Sequence, residues 1–95
     1  MNTAHIKKLK ALAHHLKPSV NIGKDGLSDG VVQSILEILE THELIKIKFQ
    51  KNKDSKNIIS NDIVSQTKST KISIIGNTLI IYKRSSNPKY RQIKL

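Results

Sequence analysis

The spacing of apolar residues predicts three helices. In residues 4–16 apolar side chains recur every three or four positions, and Pro18 ends the helix that they indicate. A second helix is predicted over residues 28–41, with Ser28 as a favourable N-cap. A third, over residues 56–67, is rich in Asn, Ser and Thr, which favour helices less. The predicted inner stripes are Ile6, Leu9, Ala13 and Leu16 in the first helix and Ile59, Ile63 and Gln66 in the third.

Four strands are predicted between and after these helices. They cover residues 19–22, 44–49, 72–75 and 78–83. The second strand alternates apolar and polar positions, so Lys46 and Lys48 are expected to project together from its outer face. Gly76-Asn77, between the last two strands, is typical of a two-residue hairpin turn.

The resulting order, α-β-α-β-α-β-β, predicts one α/β domain over residues 1–95. Two successive strand-helix-strand units favour parallel pairing, and the final hairpin adds an antiparallel strand. We expect a two-layer sandwich with one sheet face more exposed, because three helices cannot cover both faces well. Residues 51–56 are expected to be a polar connection, and residues 84–95 a basic tail without strong periodicity.

Charge is distributed unevenly along the chain. Residues 1–43 carry five basic and five acidic side chains, whereas residues 44–95 carry twelve basic and two acidic ones, which accounts for the net charge of +10. This excess indicates a polyanionic partner. The chain has no cysteine, which excludes disulfides and thiolate zinc sites, and no apolar run of signal-peptide or membrane-spanning length. We expect a soluble cytoplasmic protein.

The segment Gly23-Lys24-Asp25-Gly26 joins a predicted strand to a helix. Glycines allow a backbone to approach a ligand closely, and a helix N-terminus favours an anion. Loops of G-x-x-G spacing clamp the nucleic-acid backbone in KH domains. The spacing also occurs by chance, so an ordinary turn is the alternative.

Four segments together resemble a known family. Residues 12–18 and 20–27 resemble the opening of the YhbY-like family, the stand-alone bacterial form of the CRM domain (chloroplast RNA splicing and ribosome maturation). Residues 42–48 and 75–83 resemble its later blocks, in the same order. Four blocks in register are far more specific than the G-x-x-G spacing alone.

The resemblance implies a fold and a function. The fold is a mixed sheet in the order 1-2-4-3 backed by helices, similar to the C-terminal domain of translation initiation factor three. Members of the family bind RNA, and the bacterial ones associate with precursors of the large ribosomal subunit. This chain departs from the expected pattern in its fifteen Lys against two Arg. Since Lys acts as a point charge, the departure argues against sequence-specific readout.

These observations predict a non-catalytic RNA-binding domain without cofactor, metal, membrane or small-molecule substrate. The predicted RNA contacts are Gly23, Lys24, Asp25, Gly26, Lys7, Lys8, Lys17, Lys46, Lys48, Lys83, Arg84, Lys89 and Arg91. The RNA is expected to be ribosomal, during large-subunit assembly. A general or small-RNA-binding protein is the alternative, and a nuclease or a peripheral membrane protein is a weaker one.

Other polar residues have two interpretations each. His14 and His15 are adjacent, so they point apart on a helix and suit surface or capping roles better than a metal site. Tyr82 is expected in the core, whereas Tyr90 could equally stack on a base. Three carboxylates at three-residue spacing are interpreted as a solvated face that repels RNA, rather than as a metal or acid–base site. They are Glu37, Glu40 and Glu43.

Overall fold

A computed structural model describes residues 1–51 and 53–95. It contains the helices α1 (Thr3–Ala13), α2 (Asp29–His42) and α3 (Lys56–Thr67), and the strands β1 (Val20–Ile22), β2 (Leu44–Phe49), β3 (Thr70–Ile75) and β4 (Thr78–Tyr82). The predicted element order is confirmed. Within the predicted connection at residues 51–56, Lys53–Ser55 form a short 3-10 turn, and Asn52 lies outside the described residues.

The strands form one mixed sheet in the order β1-β2-β4-β3. The β1 and β2 strands are parallel, and β4 pairs antiparallel with both β2 and β3. Leu79 to Tyr82 of the central strand β4 are all buried, as their continuous apolar run predicts. The α/β class, the four-stranded mixed sheet and the sheet order implied by the family resemblance are therefore confirmed.

Each face of the sheet carries its own apolar core. Helices α2 and α3 cover one face, where Ile35, Leu39 and Ile63 pack with alternate residues of the strands. Helix α1 crosses β2, β3 and β4 on the other face. That second core consists of Leu9, Ala13, Leu44, Ile72, Ile80 and Tyr82. Because α1 is short, the second face is the more exposed one.

Helix α1 ends three residues earlier than predicted. His14 is its C-cap, and Leu16, which we expected on the buried stripe, is 38% exposed. Pro18 disfavours helical geometry at the residue before it. In addition, the Lys46 ammonium donates to the Leu16 carbonyl at 3.0 Å. The Leu16 carbonyl therefore accepts from a side chain of β2 and not from a backbone N–H of a longer α1.

The inner face of α3 differs from the prediction at one position. Gln66 is exposed, whereas Ser60 and Thr67 are buried with Ile63. The Thr67 hydroxyl donates to the Ile63 carbonyl at 2.7 Å, so this short polar side chain is satisfied within its own helix. Thr67 lies four residues after Ile63 and is therefore its neighbour on the helix surface.

The C-terminal tail, for which the sequence indicated no regular structure, folds back onto the end of α2. Ser85 is buried: its N–H donates to the Glu43 carboxylate at 2.9 Å, and its hydroxyl donates to the Glu40 carbonyl at 2.6 Å. The Glu40 carboxylate accepts from the Ser86 N–H at 3.0 Å. Arg91 donates to the carbonyls of Ser85 and Ser86, and Pro88–Tyr90 form a 3-10 turn.

The predicted solvated acidic face is therefore wrong for two of its three members. Glu43 is 1% exposed and Glu40 is half-buried against the tail, whereas Glu37 is exposed. The reason is that the backbone N–H groups of the tail need acceptors where the chain leaves β4. These two carboxylates stabilise the fold and do not form a repulsive surface.

Glu40 should make the stability of the domain sensitive to acid. The pKa of Glu40 lies below its ordinary value because the Ser86 hydroxyl and then the Ser86 N–H donate to its carboxylate. Its stabilising effect is therefore present above the unfolded-state pKa of about 4.3 and is lost as the pH falls through the lower folded-state value. We expect a Glu40→Gln variant to melt below the parent at neutral pH, with a gap that closes in acid. Melting temperatures measured as a function of pH test this, and a constant gap would contradict it.

Candidate nucleic-acid interface

The acidic side chains of the described residues lie outside α1 and the four strands. Helix α1 carries Lys7, Lys8 and Lys10, and the outer face of β2 carries Lys46 and Lys48. Within residues 1–51 and 53–95, no carboxylate lies on α1 or on any strand. All seven are on α2, α3 and the connecting segments: Asp25, Asp29, Glu37, Glu40, Glu43, Asp54 and Asp62. We call the surface of those five lysines the cationic face.

The two β2 lysines are not equivalent. Lys48 is exposed, whereas Lys46 is half-buried, and its ammonium donates to the Leu16 carbonyl at 3.0 Å. Lys46 therefore also holds the segment after α1 against the sheet. Lys48 is the better position for testing a contact with a ligand, because its side chain is the more exposed.

The Gly23–Gly26 segment forms a hydrogen-bonded turn. The Gly26 N–H donates to the Gly23 carbonyl at 3.1 Å, and Gly26 has a φ of 69°, which L side chains rarely adopt. Lys24 and Asp25 are exposed at its tip. A side chain at Gly26 would therefore strain the turn.

The Gly23–Gly26 turn is separate from the N-terminus of helix α2. Ser28 is the N-cap of α2, and its hydroxyl accepts from the Val31 N–H at 3.2 Å. Asp29 places a carboxylate in the first helical turn. An anion held by Gly23–Gly26 would thus interact with the turn itself more than with the start of the helix.

The turn and the cationic face meet at one end of the sheet. Asn21, just before the turn, lies opposite Lys48, and Lys48 lies opposite Thr78 at the start of β4. Neighbouring strands are roughly 4.8 Å apart, so these three positions span about 10 Å. A single extended ligand could contact both the turn and the outer face of β2.

The predicted contacts in the tail lie at the opposite end of the sheet, because Tyr82 pairs with Leu44. Arg84 and Lys89 are exposed there. Lys83 is half-buried, with its N–H bound to the Glu43 carbonyl, and the Arg91 guanidinium holds the tail. The fold therefore does not bring all the predicted site residues together.

The remaining predicted contacts lie on and after α1. Lys7 and Lys17 are exposed, and the Lys8 ammonium donates to the Lys94 carbonyl. Lys8 thus lies close to the tail, at the end of the domain away from the turn.

A groove opens where α1 leaves the sheet uncovered. Its volume is about 250 Å³. It is lined by Lys10, His14, Pro18, Lys46, Ile75, Thr78 and Ile80. Lys10 and Ile75 were absent from the predicted site, and His14 was left undecided. The amphipathic pattern of α1 placed Lys10 outside the buried stripe, but its proximity to Ile75 depends on how α1 crosses the sheet.

Comparison with known proteins identifies the fold as that of a described family. The model of the CRS1/YhbY (CRM) domain matches residues 1–83. The chain belongs to the CRM domain family. The predicted resemblance is confirmed, and the matched range includes α1, the Gly23–Gly26 turn and the whole sheet.

Individual relatives of this CRM domain are named as RNA-binding proteins. An "RNA-binding protein" of Haemophilus influenzae is 40% identical over 90 residues, which are 94% of this chain and 91% of that protein. The "Probable RNA-binding protein YqeI" of Bacillus subtilis is 39% identical, over 92% and 90% of the two chains. A solution structure of a hypothetical Staphylococcus aureus protein, named as a candidate RNA-binding protein, superposes with a TM-score of 0.80 at 29% identity and covers 99% of each chain.

The histidines of this CRM domain do not assemble a metal centre. His14 and His15 meet edge to face, with ring centroids 5.3 Å apart, and the His14 backbone N–H caps α1. In the described part of the chain, no group of three or more His, Asp or Glu side chains could hold a metal ion. None of the helices in the described residues is long and apolar enough to span a membrane.

Proposed function

We propose that this CRM domain binds structured RNA through the cationic face and the Gly23–Gly26 turn, without catalysing a reaction on it. The observation that carries the proposal is the absence of carboxylates from the cationic face within the described residues, because a surface serving solubility alone would intersperse both signs of charge. The names of the relatives support RNA as the polyanion.

The chemistry of the face favours contact with the RNA backbone over reading of its sequence. Lysine ammonium groups interact with phosphates as point charges, whereas bidentate recognition of base edges is typical of Arg, Asn and Gln. The five cations of the face are all Lys. Specificity would then come from the shape of the RNA and from its unpaired segments.

The proposed target is ribosomal RNA during assembly of the large ribosomal subunit. Four sequence blocks shared with a family whose bacterial members associate with such precursors support this choice. Co-sedimentation with ribosomal particles on a sucrose gradient tests it: the protein should migrate with large-subunit precursors. Migration only with free RNA, together with crosslinks to other transcripts, would favour a general or small-RNA-binding protein.

RNA binding is expected to weaken steeply with salt. Each neutralised phosphate contributes roughly −0.7 to −0.9 to the slope of log affinity against log salt concentration. Four lysine–phosphate contacts would therefore give a slope of roughly −3. A filter-binding titration at several salt concentrations measures this slope. A flat dependence would rule out backbone contact as the main source of affinity.

The turn is expected to contribute through Lys24. A Lys24→Asp variant reverses the charge at the exposed tip and leaves both glycines intact, so we expect a melting temperature within a few degrees of the parent and roughly tenfold weaker RNA binding. Gly26→Asp adds a side chain at positive φ and should also lower stability by about 1 kcal/mol. Thermal melts and RNA titrations at one salt concentration separate the two effects. If Lys24→Asp melts and binds like the parent, the segment is only a turn.

A further inference from the structure

The groove beside α1 is lined by both apolar and cationic side chains. Ile75, Ile80 and Pro18 supply carbon surface, and Ile75 is 61% exposed although it is a large aliphatic residue in a strand. Lys10 and Lys46 also line the groove. None of the residues described as lining the groove is acidic.

Two further side chains give the groove polar and aromatic character. The imidazole of His14 offers a flat ring, and the half-buried Thr78 offers a hydroxyl that can donate or accept. Of the other aromatic side chains, Phe49 and Tyr82 are buried, Tyr90 lies in the tail, and the remaining histidines, His5, His15 and His42, do not line the groove. His14 is therefore the aromatic ring among the residues described as lining the groove.

The size and position of the groove restrict its occupant. Drug-sized ligands occupy pockets of roughly 300–1,000 Å³, so about 250 Å³ suits a single flat ring system. Thr78 at its end lies opposite Lys48, which connects the groove to the row of residues leading to the Gly23–Gly26 turn. An occupant with a flat ring and adjoining anionic groups would match these apolar and cationic side chains.

We propose that this groove holds one unstacked nucleobase of a single-stranded RNA segment, with the flanking phosphates on Lys10, Lys46 and Lys48. The inference rests on the proposed RNA-binding function and adds to it a requirement for an unpaired base. Bases splayed out of loops and bulges characteristically stack on aromatic side chains, including His, while cations hold the adjacent backbone. In perfectly paired RNA the bases are stacked and cannot enter the groove.

The test compares RNAs that differ in a base and not in a phosphate. A stem-loop RNA and a blunt duplex with the same number of phosphates are titrated with the full chain at one salt concentration. The stem-loop is then made with an abasic nucleotide at each loop position in turn. We expect tighter binding of the stem-loop and a roughly tenfold loss at one loop position, the order of a base–ring stacking contact.

Variants of the groove connect that base to the protein. Ile75→Ser and His14→Ala should each weaken binding of the intact stem-loop. For these variants, removing the base at the sensitive loop position should cause little further loss of affinity, as a double-mutant cycle requires for a direct contact. Ile58→Ser is the matched control for Ile75→Ser, because Ile58 is 68% exposed on α3. His15→Ala is the control for His14→Ala. In both controls, removing that base should weaken binding as much as it does in the parent. Thermal melts confirm that all four variants fold.

The possible results separate this inference from the proposed function. Tight binding of the duplex and the stem-loop alike, with no sensitive loop position, would overturn the nucleobase groove and leave RNA binding intact. An abasic effect that persists undiminished in Ile75→Ser and His14→Ala would place the base elsewhere and also overturn it. Failure of the parent to bind either RNA would contradict the proposed function, and the groove proposal with it.

Discussion

Reversing the charge of Lys10 and Lys48 together is expected to weaken RNA binding by roughly a hundredfold, about one order of magnitude for each reversed charge. Both side chains are exposed on the cationic face, one on α1 and one on β2. The Lys10→Glu/Lys48→Glu variant converts two attractive contacts with phosphates into repulsive ones at the centre of the proposed interface. Fluorescence anisotropy with a labelled stem-loop RNA at fixed salt measures the loss.

A matched variant on the opposite face separates local contact from overall charge. Lys68 is the C-cap of α3, and the Lys71 ammonium reaches the Asn61 side chain of α3 at 3.3 Å. Lys68→Glu/Lys71→Glu removes the same net charge, from +10 to +6, away from the cationic face. We expect it to weaken binding less than threefold or so, through the long-range field alone. Equal losses in the two double variants would contradict an interface confined to one face.

Replacing Glu43 by Ala is expected to destabilise the domain by about 2 kcal/mol, or roughly 10 °C in melting temperature. The Glu43 carboxylate is 1% exposed and accepts from the buried Ser85 N–H, so its removal leaves that donor without an acceptor. Its second oxygen, Oε1, has no hydrogen-bond partner among the described residues, which reduces the net benefit of the carboxylate and sets the modest size of the effect. Thermal and urea unfolding followed by circular dichroism measure the change.

Two further variants identify the source of this stability. Glu43→Gln keeps an oxygen for the Ser85 N–H and should recover most of the lost stability. Glu37→Ala removes an exposed carboxylate from the same helix and should change the melting temperature by no more than a degree or two. If Glu43→Ala melts like Glu37→Ala, the contact between the tail and α2 does not stabilise the fold.

The regular elements follow from local pattern. Leu44–Phe49 and Lys56–Thr67 have the bounds that the sequence predicts, because alternation and helical spacing are properties of neighbouring residues. The turn at Gly76-Asn77 follows from its dipeptide. The sheet order required the family resemblance, since pairing of distant strands has no local signature.

The corrections at Glu43 and at the end of α1 involve contacts between distant parts of the chain. Glu43 and Ser85 are 42 residues apart, so no helical spacing could indicate that a carboxylate at the end of α2 is an acceptor for the tail. Lys46 and Leu16 are 30 residues apart, and their contact accompanies the early end of α1. The charge total is readable from composition, but the absence of carboxylates from the cationic face within the described residues depends on which helix covers which side of the sheet.

The structure brings together only part of the predicted candidate site, and its role in RNA binding stays a prediction. The exposed Gly23–Gly26 turn and Lys48 were singled out by spacing and alternation, and they lie at the same end of the sheet. Arg91 was included because of its charge alone, whereas its guanidinium holds two backbone carbonyls of the tail. A tail without periodicity gives no sign of that role.

Nuclear magnetic resonance of the full chain, labelled with nitrogen-15 and titrated with a stem-loop RNA at moderate salt, tests the proposed interface most directly. Binding at the cationic face predicts that backbone amide shifts concentrate in the second half of α1, in residues 23–26, in residues 46–48 and around residues 75–78. The amides of α3 should remain close to their free positions. Shifts concentrated on α2 and α3, or no shifts at a large excess of RNA, would contradict the account.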